Sequence, residues 1–126
     1  MKLSCQENRL PGESLGERLE NLEKYGFEGI EFWGHQLWER EAEITDALAR
    51  TSIKASSVCA GVRESLLDPD PAERRKAFEQ IGRLLRVAET IGAGGLILVP
   101  IFGPPRLPDL SPLAARGKSR FCGFWN

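Results

Sequence analysis

Apolar residues recur along the chain in two alternating patterns, one with the spacing of a helix and one with the spacing of a strand. The strand pattern predicts four strands, over 2–6, 29–33, 53–59 and 96–100. The helix pattern predicts three helices between them, over 14–25, 39–51 and 71–91. Regular alternation of strands and helices is typical of an α/β fold with parallel strands, so we predict a series of parallel βα units.

One helix-to-strand joint occurs twice, at 25–33 and at 91–98. In each copy the helix ends on a glycine, Gly26 or Gly92, and two residues separate it from a second glycine at the start of an apolar strand. A glycine directly after a helix supplies the left-handed backbone that closes the helix. The repeat therefore predicts two copies of the same structural joint.

Capping residues mark the starts of two helices. Ser14 with Glu17 forms a capping box, and Asp70 with Pro71 combines an N-cap with proline at the first helical position. For the helix that follows Asp70, the spacing predicts a buried stripe of Phe78, Ile81, Leu85, Ala88 and Ile91. The strand over 96–100 is apolar throughout, which predicts that both of its faces are covered.

Length and charge exclude several classes of protein. The chain has 126 residues, about half of the ~250 that a closed eight-stranded barrel needs. Lys and Arg number 17 against 18 Asp and Glu, so nothing favours nucleic acid or an acidic membrane as a partner.

The N-terminus is too polar for a signal peptide, and the longest apolar run, 96–102, is too short to span a bilayer. The three cysteines show no metal-type spacing, so we expect reduced thiols and a cytoplasmic protein.

Candidate chemistry lies where the predicted strands end, because ligands of parallel βα folds bind at the carboxyl ends of the strands. The polar and aromatic candidates there are Glu7, Glu31, Trp33, His35, Cys59 and Arg63.

His35 could bind a metal, transfer a proton or bond to a sugar hydroxyl, or it could be a loop residue without a role. Trp33 could stack on a sugar or belong to the core. Glu31 needs hydrogen-bond partners in a strand that is otherwise apolar. Cys59 fits packing better than nucleophilic catalysis, because no second histidine exists to activate it.

Three motifs together resemble one known family. They are the sequence from Gly29 to His35, the helix start from Leu67 to Pro71, and the sequence from Gly92 to Pro100. In this order and spacing they are similar to the xylose isomerase-like TIM-barrel superfamily, in its sugar phosphate isomerase/epimerase branch. The similarity covers about 2–115. It implies about four of the eight parallel βα units of a TIM barrel, and therefore an incomplete barrel formed by its N-terminal half.

The resemblance also implies a chemistry. Members of the family use a divalent metal (Mn, Mg or Zn) and transfer a proton next to a sugar carbonyl. Their metal ligands are acidic residues and a histidine on strands five to eight, so no catalytic or metal-binding residue carries over to this chain. What carries over is the wall of a pocket for a sugar or sugar phosphate, with Glu31, Trp33, His35 and Cys59 as substrate-binding candidates. We expect the chain alone to bind no metal and to be inactive.

The helix start at Ser111 and Pro112 still suits the family, whereas 116–126 does not. A helix start at Ser111 and Pro112 is followed by only a few helical positions, and 116–126 has no helical period. We therefore expect 1–115 to be the N-terminal half of a barrel and 116–126 an irregular tail on a truncated or frame-shifted chain. A half-barrel has two open sheet edges, which favours self-association.

Two other functions fit less well. An endonuclease IV-like phosphodiesterase of the same superfamily needs several histidines for its metals, and the chain has one. A non-catalytic, flavodoxin-like open-sheet module for binding needs protected sheet edges and a C-terminal helix, which the residues after Ser111 do not supply.

Overall fold

The computed structural model describes residues 1–99. Its strands and helices are β1 (Ser4–Gln6), α1 (Leu15–Lys24), β2 (Gly29–Trp33), α2 (Glu41–Ala49), β3 (Lys54–Cys59), α3 (Pro71–Thr90) and β4 (Leu96–Ile97). Short 3-10 turns, Glu7–Arg9 and Leu37–Glu39, follow β1 and precede α2. The predicted end of the fourth strand, the helix start at Ser111 and the tail over 116–126 lie outside the described residues.

The strands form one sheet in the order β1-β2-β3-β4, and every neighbouring pair is parallel. The predicted α/β fold with parallel βα units is therefore confirmed. A strand order that follows the sequence is that of successive strands in a barrel, whereas a flavodoxin-like sheet has the order 2-1-3-4-5. The architecture agrees with part of a TIM barrel and does not favour the flavodoxin-like module.

Among the described residues, the core lies on one face of this sheet. Ile30, Phe32 and Val58 point to that face and are fully buried, together with Leu19 and Leu22 of α1. The side chains at the alternate positions of β2, Glu31 and Trp33, are half-buried and exposed, whereas Gly29 is buried. The prediction that the fourth strand is covered on both faces is wrong for residues 96–99: Ile97, for example, is 45% exposed. The uncovered face is the one that a closed barrel would turn inward.

An irregularity in the pairing of β2 with β3 decides which residues meet on the open face. Ile30 pairs with Ala55 but Glu31 pairs with Ser57, so Ser56 is an extra residue in β3. The Ser56 hydroxyl lies 2.9 Å from the Ile30 carbonyl oxygen, to which it donates, and 2.6 Å from Ser4 Oγ. The extra residue thereby gains its own hydrogen bonds, and Ser57 is placed opposite Glu31.

The repeated joint is confirmed in both copies. Gly26 and Gly92 have φ angles of 77° and 71°, values that favour glycine. After α1 the Phe27 N–H donates to Leu22 O at 3.0 Å, and after α3 the Ala93 N–H donates to Ala88 O at 2.8 Å. Together with the glycine N–H bonds to Glu23 O and Glu89 O, these are two Schellman motifs of the same design.

The predicted helix starts agree with the structure in their main contacts. Ser14 Oγ accepts a hydrogen bond from the Glu17 N–H at 3.2 Å, and Asp70 Oδ1 accepts one from the Ala72 N–H at 2.8 Å. The Glu17 side chain accepts from the Glu13 N–H instead of from Ser14. Helix α2 begins two residues later than predicted, because Leu37–Glu39 forms a 3-10 turn.

The predicted buried stripe of α3 is wrong in part. Ile91 and Ala88 are buried, but Phe78 is 64% exposed and Leu85 is 52% exposed. Their neighbours Ala77 and Leu84 are buried instead. The predicted and the observed buried faces share Ala88 and Ile91, and they differ where Ala77 and Leu84 face the core in place of Phe78 and Leu85.

No helix within residues 1–99 is both long enough and apolar enough to cross a membrane.

Candidate functional site

The carboxyl ends of β1, β2 and β3 border a shallow depression with room for about one water molecule, which we call the strand-end pocket; a larger ligand would lie over it on the open face of the sheet. Its lining residues are Gln6, Glu7, Asn8, Glu31, Phe32, Trp33 and Cys59. Three of the four predicted substrate-binding residues, Glu31, Trp33 and Cys59, therefore lie together. The fourth, His35, is exposed two residues beyond β2 and does not line this pocket. The substrate-binding roles of all four stay predictions.

Glu31 obtains its hydrogen-bond partners from the two neighbouring strands. Gln6 Nε2 donates to Glu31 Oε1 at 2.7 Å, and Ser57 Oγ donates to Glu31 Oε2 at 2.7 Å. Both donors are neutral, and each holds a different carboxylate oxygen. The carboxylate is therefore fixed in position on the open face of the sheet. The sequence did not lead us to predict Gln6 and Ser57 as the donors to Glu31. Their polar side chains, in strands that otherwise carry small or apolar residues, were the available signal.

Trp33 extends over the open face and does not belong to the core. Its side chain is 44% exposed, and part of the indole packs against the backbone of Gly61. A Cβ at Gly61 would lie 3.0 Å from Trp33 Cε2, and Gly61 has a φ of 60°. This glycine therefore lets the loop after β3 support the aromatic ring closely.

Cys59 pairs with Trp33 across β2 and β3. Partial burial and, to a lesser extent, the negative charge of Glu31 raise the pKa of the Cys59 thiol, while a hydrogen bond from the Gly61 backbone opposes the shift. The thiol therefore stays protonated at neutral pH and is a poor nucleophile.

Glu7 has an ion-pair role at the base of the pocket. It is 5% exposed, and Arg40 donates to both of its oxygens, from Nη2 at 2.7 Å and from Nη1 at 3.2 Å. Arg18 Nη1 lies 3.7 Å from Glu7 Oε1. The hydrogen bond to Glu7 is the main cause that raises the pKa of Arg40. Glu7 therefore joins the end of β1 to the residues before α2, and its charge is already balanced.

The remaining candidate, Arg63, is exposed and does not line the strand-end pocket. Within residues 1–99, no three side chains of histidine, cysteine, aspartate or glutamate come together as metal ligands do. These residues therefore do not fit the divalent metal that the resemblance implies, and we derive no step through a metal from them.

The comparisons with known proteins agree with the architecture. No protein-family model matches the sequence, and no curated protein matches it. Among solved structures, the crystal structure of 3-keto-D-glucoside 4-epimerase, YcjR, from E. coli in its apo form is similar, with a TM-score of 0.68 and 23% sequence identity. The match covers 83% of this chain and 44% of the epimerase chain, so the chain spans less than half of that protein's length. At this identity the similarity shows that the chain has the fold of part of a sugar epimerase.

Proposed function

We propose that the chain forms the substrate-binding half of a sugar isomerase or epimerase, which moves a proton next to a sugar carbonyl when the rest of the active site is present. The observation that supports this most is the strand-end pocket, where a fixed carboxylate and an exposed indole lie side by side on the open sheet face. The fold shared with part of a sugar epimerase also supports it.

In this proposal each pocket residue has a binding role. The Glu31 carboxylate accepts hydrogen bonds from sugar hydroxyls, since an ionised carboxylate has about four acceptor positions and Gln6 and Ser57 occupy two of them. Trp33 packs against the C–H face of the sugar ring. Cys59 fills the wall between them, and His35 contacts the sugar from the edge of the pocket. The divalent metal (Mn, Mg or Zn) would take its ligands from strands five to eight of a complete barrel, as the resemblance implies, so β1 to β4 alone would be inactive.

A titration followed by NMR tests this proposal. The probes are neutral aldoses and ketoses and their phosphates, and the readout is the indole N–H resonance of each tryptophan. We expect a saturable shift of the Trp33 resonance with a millimolar dissociation constant, corresponding to about −4 kcal/mol.

Trp38 provides the internal control. It is partly buried against the core, and the Arg83 guanidinium carbon lies 5.6 Å from the centre of its ring. Its resonance should stay constant while that of Trp33 moves. If no sugar or sugar phosphate shifts Trp33 in a folded sample, the proposed function is wrong.

We further propose that the chain self-associates through its sheet edges. Among residues 1–99, β1 and β4 are the outer strands of the sheet, and apolar side chains beside them are exposed, with Leu3 at 42% and Ile97 at 45%. Unpaired backbone groups next to exposed apolar side chains favour pairing with another copy. We expect light scattering to give a mass that rises with concentration above 14.0 kDa.

A lysine on the outer strand should weaken this association, because charged side chains protect sheet edges in natural proteins. Ile97→Lys should therefore lower the average mass. Leu67→Lys is the matched control, since Leu67 is 44% exposed but lies in the loop before α3. A monomer at every concentration would contradict the proposal.

An endonuclease IV-like activity is not proposed, because no observation favours it and the chain has one histidine.

A further inference from the structure

We infer that the strand-end pocket takes an unphosphorylated sugar, and that the carboxylate of Glu31 disfavours sugar phosphates there. This inference rests on the proposed function and narrows its substrate class. It depends on the balance of charge around the pocket.

The charge of Glu31 has no cationic partner in the part of the chain that the structure describes. Its two hydrogen bonds come from the Gln6 amide and the Ser57 hydroxyl, which are both neutral. The ion pairs found among residues 1–99 involve Glu7, Glu43 and Glu73 and leave Glu31 out. Within residues 1–99, no cation therefore offsets the carboxylate of Glu31 in the pocket.

The arginines at the base of the pocket are not available to a phosphate. Arg40 binds both oxygens of Glu7 and also donates to Glu43 at 3.0 Å. Arg18 lies beside the same Glu7 carboxylate and donates to the Gly12 carbonyl at 3.1 Å. Moving Arg40 to a ligand would leave the buried Glu7 without its main partner, which is costly for a buried carboxylate.

A neutral polyol suits the same surroundings. Neighbouring hydroxyls can donate to the unused acceptor positions of Glu31, while the exposed part of the Trp33 indole covers an apolar face of the ring. A phosphate group carries up to two negative charges, and like charges repel each other more strongly beside a protein surface than in bulk water. The pocket should therefore distinguish a sugar from its own phosphate ester.

Matched ligand pairs test this inference on the whole chain. Fructose is compared with fructose 6-phosphate, and glucose with glucose 6-phosphate, by the shift of the Trp33 indole resonance. We expect the neutral sugar of at least one pair to bind at least tenfold more tightly than its phosphate ester. Inorganic phosphate alone controls for non-specific anion effects and should leave Trp33 unchanged.

Two variants test whether charge is the cause. Glu31→Gln keeps the shape of the side chain and removes its charge, so the preference should fall to threefold or less. Asn8→Lys adds a cation at an exposed position of the pocket wall, where it does not disturb the core, and it should also raise the affinity for the phosphate esters.

The outcomes separate this inference from the proposed function. If in neither pair the neutral sugar binds at least tenfold more tightly than its phosphate ester, the inference is wrong while sugar binding stands. If Glu31→Gln leaves the ratio unchanged, the charge of Glu31 is not the cause and the inference is also wrong, whatever the effect of Asn8→Lys. If no sugar binds at all, the proposed function fails and the inference fails with it.

Discussion

Replacing Gly34 with alanine should lower the free energy of unfolding by about 3 kcal/mol, at the upper end of the usual cost of overpacking. A Cβ at this position would lie 2.5 Å from the carbonyl oxygen of Ala60 and 2.8 Å from that of Cys59. Both obstacles are backbone atoms, so no side-chain rotation can relieve the contact. In addition, the Gly34 N–H donates to Cys59 O at 2.7 Å, and the added methyl would push these two strand ends apart.

Urea unfolding of the variant measures this loss, and Gly95→Ala is the matched control. Gly95 also lies beside a strand, but a Cβ there would meet nothing within 4 Å. The control should therefore change stability by no more than about 0.5 kcal/mol. Because Trp33 precedes Gly34 and pairs with Cys59, we also expect the sugar-dependent shift of Trp33 to weaken in Gly34→Ala. Equal stability of the two variants would contradict the close approach.

The features that the sequence predicts well depend on neighbouring residues. Each Schellman motif is closed by bonds between residues at most five positions apart, such as that between Leu22 and Phe27. The N-caps Ser14 and Asp70 bond to N–H groups two or three residues ahead. Because these contacts join residues that are close in the sequence, they require glycine and capping residues at fixed spacings. The alternation of helices and strands could therefore be predicted. The buried face of α3 could not be predicted in full, because two adjacent faces of the helix carry apolar residues and contact with the sheet decides which of them is buried.

The contacts that build the candidate site join distant parts of the chain. Glu31 bonds to Gln6 and Ser57, which are 25 and 26 residues away, and Glu7 meets Arg40 across 33 residues. The position of Ser57 also depends on the extra residue Ser56 in β3, which alternation alone does not indicate. The sequence therefore predicts that Glu31, Trp33 and Cys59 lie near one edge of the sheet, but it does not predict what holds them there.

The ion pair of Glu7 with Arg40 should be the second large contribution to stability. Arg40→Met keeps much of the apolar stem and removes the guanidinium, which leaves Glu7, at 5% exposure, with Arg18 at 3.7 Å as the remaining cation. Removing one partner of a fully buried pair costs about 3–5 kcal/mol. Since the Arg40 side chain is 37% exposed, water reduces the loss, and we expect about 2 kcal/mol.

A double-mutant cycle separates the pair from its surroundings. Glu7→Gln combined with Arg40→Met leaves no unpaired charge at position 7, so the double variant should lose less stability than the two single losses added together, by about 1 kcal/mol or more. Glu43→Gln removes the other acidic partner of Arg40. Because the Glu43 side chain is 53% exposed, this substitution should lower the free energy of unfolding by no more than about 0.5 kcal/mol. If the losses of Glu7→Gln and Arg40→Met simply add, the two residues do not stabilise each other. The ion pair would then not help to hold the end of β1, and Arg40 would be available to an anionic ligand, contrary to its assignment to Glu7.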